Sequence, residues 1–595
     1  MRGRAGYLVR FYLLTVLWFI AAKVAFMLCN AAVNPFTAGD VVDVILHGLS
    51  LDLSTALYFL ILPFLLVLAS LWAAIPRWLY RVYNAVVAVA FSLAFVADTS
   101  LYPFWRFKLD ASCLQYLETP SDAMASVSTG YLLLRLLVFA VLVAFIFWTY
   151  TRLRVAFRPA RHRIGSTVLG ILFIPLMVIG IRGGLDESTT NVGQVYYSQT
   201  QFLNHSAVNP VFSFLASFEK TANNIVDYDY YTQQECDRLL KDVYPTTSTL
   251  TDTLLTMHRP DVVVILMESA GEVMADVMPY LQQLKQQGVN FTQCYANSWR
   301  TDRGTVCTYS GYPSFPTSSV MKMPSKTQHL PSIARTLKKA GYATSYFYGG
   351  DINFTNMRSY LVGTGFEELT WKKDFTVSQQ TTSEWGVRDD IMFDAVYDRL
   401  TAPHDRPLLI GFSTLSSHEP WDVPLHHVDD PVKNAFYYLD DCIRHFIDQL
   451  RQTPQWQHTL VVLLPDHSID WGDTDETKRE RNRIPMVWTG GAVRAPRTVG
   501  QLCNQTDMAA TLLGQLGLPH DDFRWSRDVL SSSYRYPLAV HNFNNGFSMI
   551  DSTGFMVYDL NSDKPMVSHT ADALRLERLG KAVLQATTQD LKDMQ

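Results

Sequence analysis

Apolar positions are bunched toward the start of the chain. Five runs, at approximately 9–31, 51–74, 79–98, 131–149 and 164–182, reach the roughly 20 residues that a helix needs to cross a bilayer core. Residues 183–259 then read as a polar connection with a short amphipathic patch at Val211-Phe212-Ser213-Phe214-Leu215. Beyond it, short β-rich runs alternate with helical periodicity, the rhythm of a parallel α/β fold. Strands are predicted at Asp261–Met267, Ala343–Tyr348, Pro407–Phe412, Leu460–Leu464 and Pro485–Trp488, with helices near 276–287, 331–340 and 435–450. The pattern predicts a five-helix transmembrane bundle over 1–182, a juxtamembrane connection over 183–259, and a doubly wound, mostly parallel α/β domain over 260–595.

Composition sharpens this division. With 48% hydrophobic and 18% charged residues among 595, the chain is too apolar for a disordered scaffold and too long for one ordinary domain. Lys and Arg number 50 against 55 Asp and Glu, a net −5, which argues against a nucleic-acid partner bound through bulk positive charge. The seven cysteines contain no CxxC pair and suggest neither a zinc ribbon nor a disulfide scaffold.

Cation placement sets the expected orientation, because short loops rich in Lys and Arg stay in the cytoplasm. Arg2, Arg4 and Arg10 precede the first run. Arg77 and Arg81 lie between the second and third, and Arg152, Arg154, Arg158, Arg161 and Arg163 between the fourth and fifth. Five crossings from an inside start carry everything after about residue 183 to the extracellular or periplasmic side of a bacterial cytoplasmic membrane. Lys23 and Asp52 fall near or inside the spans, and snorkelling to the interface is the ordinary reading of both. The segment Tyr102-Pro103-Phe104-Trp105-Arg106-Phe107-Lys108 has the mixture of an interfacial belt.

Ligands of a doubly wound sheet gather at the carboxyl ends of its strands. Four runs end in reactive groups there: Glu268-Ser269, Gly349-Gly350-Asp351, Ser416-Ser417-His418 and Asp466-His467. Glu268, Asp466 and His467 form a ligand set suited to a divalent cation, with a structural salt-bridge cluster as the competing reading. The stretch from Asn297 to Thr305 should open a helix, where free N–H groups suit phosphate. Its Thr301 is either an N-cap or a nucleophile whose alkoxide a metal would favour.

The five spans, the α/β domain, and Glu268, Thr301 and Asp466-His467 in this order resemble the lipoteichoic acid synthase family of the alkaline phosphatase and sulfatase superfamily. The likeness extends to Gly48-Leu49-Ser50-Leu51-Asp52-Leu53-Ser54 and to the stretch from Asn504 to Leu513. It implies one divalent ion, usually manganese with magnesium or zinc as alternatives, held by Glu268, Thr301, Asp466 and His467. Thr301 is the implied covalent nucleophile, and His418 the residue that contacts the transferred headgroup or assists proton transfer. Arg358, Asp351 and Arg303 complete the expected headgroup contacts. The family's Phe-Trp-Asn-Arg-like segment is replaced here by Asn353-Phe354-Thr355-Asn356-Met357-Arg358, without the tryptophan.

The resulting expectation is a metal-dependent phosphoglycerol transferase that moves a headgroup from phosphatidylglycerol to a glycan or lipid-linked glycan. Two alternatives stand beside it. One is a phosphoethanolamine transferase or a sulfatase-like hydrolase, although no C/S-x-P-x-R motif surrounds Thr301 and the cysteines do not suggest a disulfide-rich domain. The other is a membrane-tethered binding or sensor protein that has lost catalysis.

Overall fold

The computed structural model describes residues 2–105, 108–109, 113, 129–153, 159–220, 225–245, 250–544 and 546–594. The chain divides into two units, 1–222 and 223–595.

In the first unit, α1 (Arg2–Asn30), α2 (Ala38–Ala69), α3 (Arg77–Trp105), α4 (Thr129–Thr151) and α5 (Arg163–Arg182) are long and apolar enough to cross a membrane. Their outward faces are the reverse of a water-soluble surface: Leu133, Leu134, Leu137 and Val141 on α4 are each more than half exposed, which suits lipid as solvent. Inward, Phe11, Phe19, Phe91, Phe95 and Tyr150 build an aromatic core.

The second helix begins at Ala38, well before the apolar run at 51, because Thr37 and Asp40 form a capping box that satisfies its first backbone N–H groups. The expected snorkelling of Lys23 and Asp52 is overturned. Lys23 Nζ lies 2.6 Å from Asp52 Oδ2 and donates to Gly48 O at 2.9 Å, while Asn209 Nδ2 donates to Asp52 Oδ1 at 2.8 Å. Each charge finds its partner on the neighbouring helix, so both stay buried. A second buried pair joins Lys108 to Asp98, so Lys108 is no belt residue; Arg106 and Phe107 of that segment lie outside the described residues, as do Arg154 and Arg158.

The stretch read as one connection is shared between the units. Residues 183–220 fold with the bundle through α6 (Gln201–Ala207) and α7 (Pro210–Lys220), the latter containing the amphipathic patch. Val211 and Phe212 are buried, and Leu215 and Phe218 are exposed.

The second unit holds an eight-stranded sheet in the order β4-β3-β5-β1-β6-β7-β2-β8. Its strands are β1 (Asp261–Met267), β2 (Val289–Tyr295), β3 (Ala343–Tyr348), β4 (Glu368–Trp371), β5 (Leu408–Ser413), β6 (Thr459–Pro465), β7 (Arg483–Thr489) and β8 (Arg497–Asn504). Only β7 runs antiparallel to its neighbours, β6 and β2. The mostly parallel doubly wound sheet is therefore present, with β2, β4 and β8 added to the predicted strands. A separate antiparallel sheet, β9 (Leu538–Phe543), β10 (Gly546–Asp551), β11 (Gly554–Asp559) and β12 (Lys564–Thr570), was not foreseen.

Register positions the chemistry. β1 lies between β5 and β6, parallel to both, with Met267 opposite Pro465. Adjacent strands are roughly 4.8 Å apart, so the residues that leave β1 and β6, Glu268 and Asp466, emerge side by side.

Candidate active site

Glu268 leaves β1 with its N–H donated to Thr414 Oγ1 at 2.9 Å and its carbonyl accepting from Ser417 Oγ at 2.7 Å, so the β5 loop holds its backbone on both sides. Ser269 follows at φ 57°, a left-handed turn that points its N–H at Asp466 Oδ1, 2.9 Å away. Asp466 Oδ1 also accepts from the N–H of His467 at 2.9 Å. Gln505 Nε2 donates to the carbonyl of Asp466 at 2.7 Å, and pins the end of β6 from the opposite side.

Thr301 is the first residue of a helix, α8 (Thr301–Ser310), with Arg300 at its N-cap. The capping reading of Thr301 is thereby displaced. Its hydroxyl donates instead to Glu268 Oε2 at 3.2 Å. The helix can approach because Gly304 faces the end of β6, where an added Cβ would sit 2.1 Å from the carbonyl oxygen of Asp466.

Glu268, Asp466 and His467 present one ligand atom each within 4.8 Å of one another. His467 Nε2 stands 3.7 Å from Glu268 Oε1 and 3.6 Å from Asp466 Oδ2, and its Nδ1 faces the carbonyl of Ser468 at 3.2 Å. A carbonyl only accepts, so the ring proton belongs on Nδ1 and the Nε2 lone pair turns toward the carboxylates. Asp466 Oδ2 is buried and accepts no hydrogen bond from any described residue. Among the described residues, no Lys or Arg pairs with either acid. Burial, and then repulsion by Asp466, push the Glu268 carboxyl up to about 7. Two buried carboxylates, an orphaned oxygen and an imidazole lone pair fit a divalent cation, so Glu268, Asp466 and His467, with Thr301 beside them, form a possible metal site.

The other expected residues lie around this cluster at different depths. His418, on the loop after β5, is linked to it through its neighbour Ser417. Asp351 is buried after β3 and accepts from Asn353 N and Nδ2 at 3.0 and 2.9 Å. Arg358 stacks over Trp371 at 5.6 Å; burial lowers its guanidinium, opposed by Asp374 and Asp351. Arg303 lies over Trp299 at 4.8 Å and 3.5 Å from Asp302. Neither arginine contacts the acid cluster among the described residues.

Several groups escaped the sequence reading. Tyr348, at the end of β3, is held above its usual range first by burial and then by the Glu268 carboxylate. Arg481 is buried and donates through Nη1 to the carbonyls of Ser468 and Ile469, both at 2.8 Å, fixing the loop that follows His467. Gln505 and Asn297 are joined to each other, with Asn297 N donating to Gln505 Oε1 at 3.2 Å. Their signal was present, since both stand in polar stretches already singled out, but nothing local says that they meet.

Residues 260–518 match the sulfatase family model. Phosphoglycerol transferase I of Xanthomonas campestris is 23% identical over 262 residues, covering 40% of this chain and 37% of its own length. Lipoteichoic acid synthase 2 of Bacillus subtilis is 23% identical over 239 residues, covering 36% of each. The chain thus spans well under half the length of these curated relatives. An alkaline phosphatase superfamily protein from Vibrio parahaemolyticus superposes over 62% of this chain and 98% of its own, with a TM-score of 0.55 and 24% identity, a likeness of fold. Together with the five apolar helices, these likenesses support a multi-pass membrane protein whose residues 260–518 resemble a sulfatase domain.

Proposed function

We propose that the protein is a phosphoglycerol transferase that takes the headgroup of phosphatidylglycerol and passes it to a hydroxyl of a glycan or lipid-linked glycan. The observation that carries this reading is the Thr301 hydroxyl, 3.2 Å from a buried carboxylate whose neighbour Asp466 keeps an oxygen without a hydrogen bond. The names of the two relatives point to the same reaction class.

Glu268, Asp466, His467 and Thr301 would hold the ion, manganese by preference. When bound, it supplies Lewis-acid stabilisation of phosphoryl charge and favours the threonine alkoxide. Thr301 Oγ1 bonds to phosphorus as the bond from phosphorus to the diacylglycerol oxygen breaks, and the threonine proton leaves along its hydrogen bond to Glu268. In the second step the acceptor oxygen bonds to phosphorus and Thr301 departs. His418, carrying a proton on Nε2 as well as on Nδ1, gives the Nε2 proton to the departing diacylglycerol oxygen in the first step; the ring, then neutral, takes the proton of the incoming hydroxyl on Nε2 in the second, while Glu268 returns its proton to Thr301. Asp351 and its Asn353 turn border the headgroup, with Arg358 and Arg303 as outer positive charges. The soluble unit lies on the extracytoplasmic side, a placement supported by Arg77, Arg81, Arg152, Arg161 and Arg163, which sit at or just beyond the helix ends between the second and third and the fourth and fifth spans.

The test uses the detergent-solubilised full chain with manganese and fluorescent phosphatidylglycerol. Fluorescent diacylglycerol should appear, and the Thr301 peptide should gain the mass of glycerophosphate. Phosphoethanolamine on that peptide when mixed lipids are supplied would replace the donor. Turnover that survives in Thr301→Ala would overturn the mechanism.

A further inference from the structure

The acid cluster leaves unexplained an aromatic arrangement at its rim. Trp385 sits in a turn closed by Ser383 N donating to Gly386 O at 2.9 Å and Gly386 N to Ser383 O at 3.2 Å. The turn is fastened to two loops of the site. Val387 N donates to Gly349 O at 2.9 Å, at the end of β3. Gly386, at φ 143°, lies so close that a Cβ there would be 2.3 Å from the same oxygen, so only glycine serves. On the other side, the buried Asp389 carboxylate accepts from Leu415 N and Ser416 N at 2.8 and 3.0 Å, which ties the turn to the His418 loop.

The indole meets His418 edge to face, with ring centroids 4.6 Å apart at 63°, and Phe354 stands 6.1 Å away. Trp385 Nε1 donates to the carbonyl oxygen of Glu419 at 2.6 Å, and His418 Nδ1 is 2.8 Å from that same oxygen. Because a carbonyl cannot donate, the imidazole proton belongs on Nδ1, and the neutral ring carries its lone pair on Nε2. One backbone oxygen therefore orients two rings. Without the indole, an imidazole on an exposed loop is free to change rotamer and tautomer.

We propose that Trp385 is the positioning residue for His418: through the shared Glu419 carbonyl and the edge contact it holds the imidazole with Nδ1 protonated and Nε2 available for proton transfer. The role of that proton transfer rests on the transferase reading; the geometry of the pair does not. Trp385→Phe separates the bond from the packing, since it keeps an aromatic ring and removes the N–H.

Two measurements on the full chain in detergent decide it. With manganese and phosphatidylglycerol, Trp385→Phe should lower kcat by about five- to tenfold with KM within about twofold, a fraction of what a general acid–base group contributes. The same substitution should have no further effect in a His418→Gln background. Equal losses in both backgrounds would overturn the proposal. Independently of turnover, the histidine-labelled protein should show an NMR signal, absent from His418→Gln, with the shifts of an Nδ1–H tautomer, and Trp385→Phe should move it toward a tautomer mixture. A His418 signal already of the Nε2–H form, or unmoved by Trp385→Phe, would overturn it as well. An inactive wild-type chain that shows the pinned Nδ1–H signal would remove the transferase reading while leaving the positioning role intact.

Discussion

Each unit buries a cluster of charged side chains, and the two clusters balance charge in opposite ways. In the bundle, Lys23 and Asp52 neutralise each other, and both oxygens of Asp52 are engaged, one by Lys23 and one by Asn209. In the second unit, Glu268 and Asp466 face each other beside the His467 imidazole, and among the described residues neither acid has a Lys or Arg partner and one Asp466 oxygen accepts no hydrogen bond. Burial of a lone charge is costly in either medium, so each cluster needs a counter-charge. The bundle finds it one helix away within the chain. The second unit supplies none from Lys or Arg among its described residues, and this difference in counter-charge, more than residue identity, distinguishes a structural ion pair from a candidate ion site.

Removing a single negative charge from each cluster should break this comparison most visibly. Asp466→Asn is expected to lower headgroup transfer by about a thousandfold or more, the scale of losing a group central to transition-state stabilisation. The same change should leave the metal-free protein as stable as before or more so, because it removes repulsion. Asp52→Asn should do the reverse: it strands Lys23 and costs about 3–5 kcal/mol of stability. Thermal unfolding in chelator beside lipid turnover in manganese reads both signatures. If Asp466→Asn destabilises the chelated protein as much as Asp52→Asn does, the acid cluster is structural after all.

A smaller effect is expected from Gly48→Ala. A Cβ there would lie 2.3 Å from both Lys23 Nζ and the carbonyl oxygen of Ala207. Forcing these apart should cost about 1–3 kcal/mol. Asp52→Asn added to Gly48→Ala should cost less than the sum of the two, because both act on one ion pair; strict additivity would detach Gly48 from it.

The gentlest probe is pH. With the metal chelated, the Glu268 carboxyl, raised from 4.5 to about 7, keeps a proton that the unfolded chain has already released. Its contribution to stability is full below about pH 4.5 and is lost as pH rises through 7. Glu268→Gln should flatten this part of the stability profile, and manganese should reverse its slope by selecting the ionised form. A chelated wild type and a Glu268→Gln variant with the same slope from pH 5 to 7 would show that the cluster is not what titrates.

Much of the architecture was legible because buried parallel strands are continuous apolar runs. Asp261–Met267 and Ala343–Tyr348 are strands with the predicted bounds. Strand β8, Arg497–Asn504, was not, because four of its eight positions are exposed and polar residues interrupt it. Strands β9 to β12 pair with near neighbours in sequence; β9, β10 and β11 are largely buried, but polar residues such as His541, Asn542 and Ser548 interrupt their short runs, and β12 is mostly exposed. The start of α2 at Ala38 was hidden because its first turns carry Asp40, Asp43 and His47, with Asp40 engaged in a capping box rather than in an apolar run.

The candidate site divides along the same line. Apolar runs that end in Glu268, His418 and Asp466-His467 are properties of short segments, because periodicity and strand ends depend on neighbouring residues. That Ser269 meets Asp466 across 197 residues, that the Thr301 hydroxyl reaches Glu268, and that Trp385 stands over His418 all follow from strand order and loop packing. The same holds for Lys23 and Asp52, whose pairing depends on how two helices turn toward each other. Segment character is decided within a few residues by the solvent each face prefers, whereas a distance between remote side chains exists only once the chain has folded back on itself.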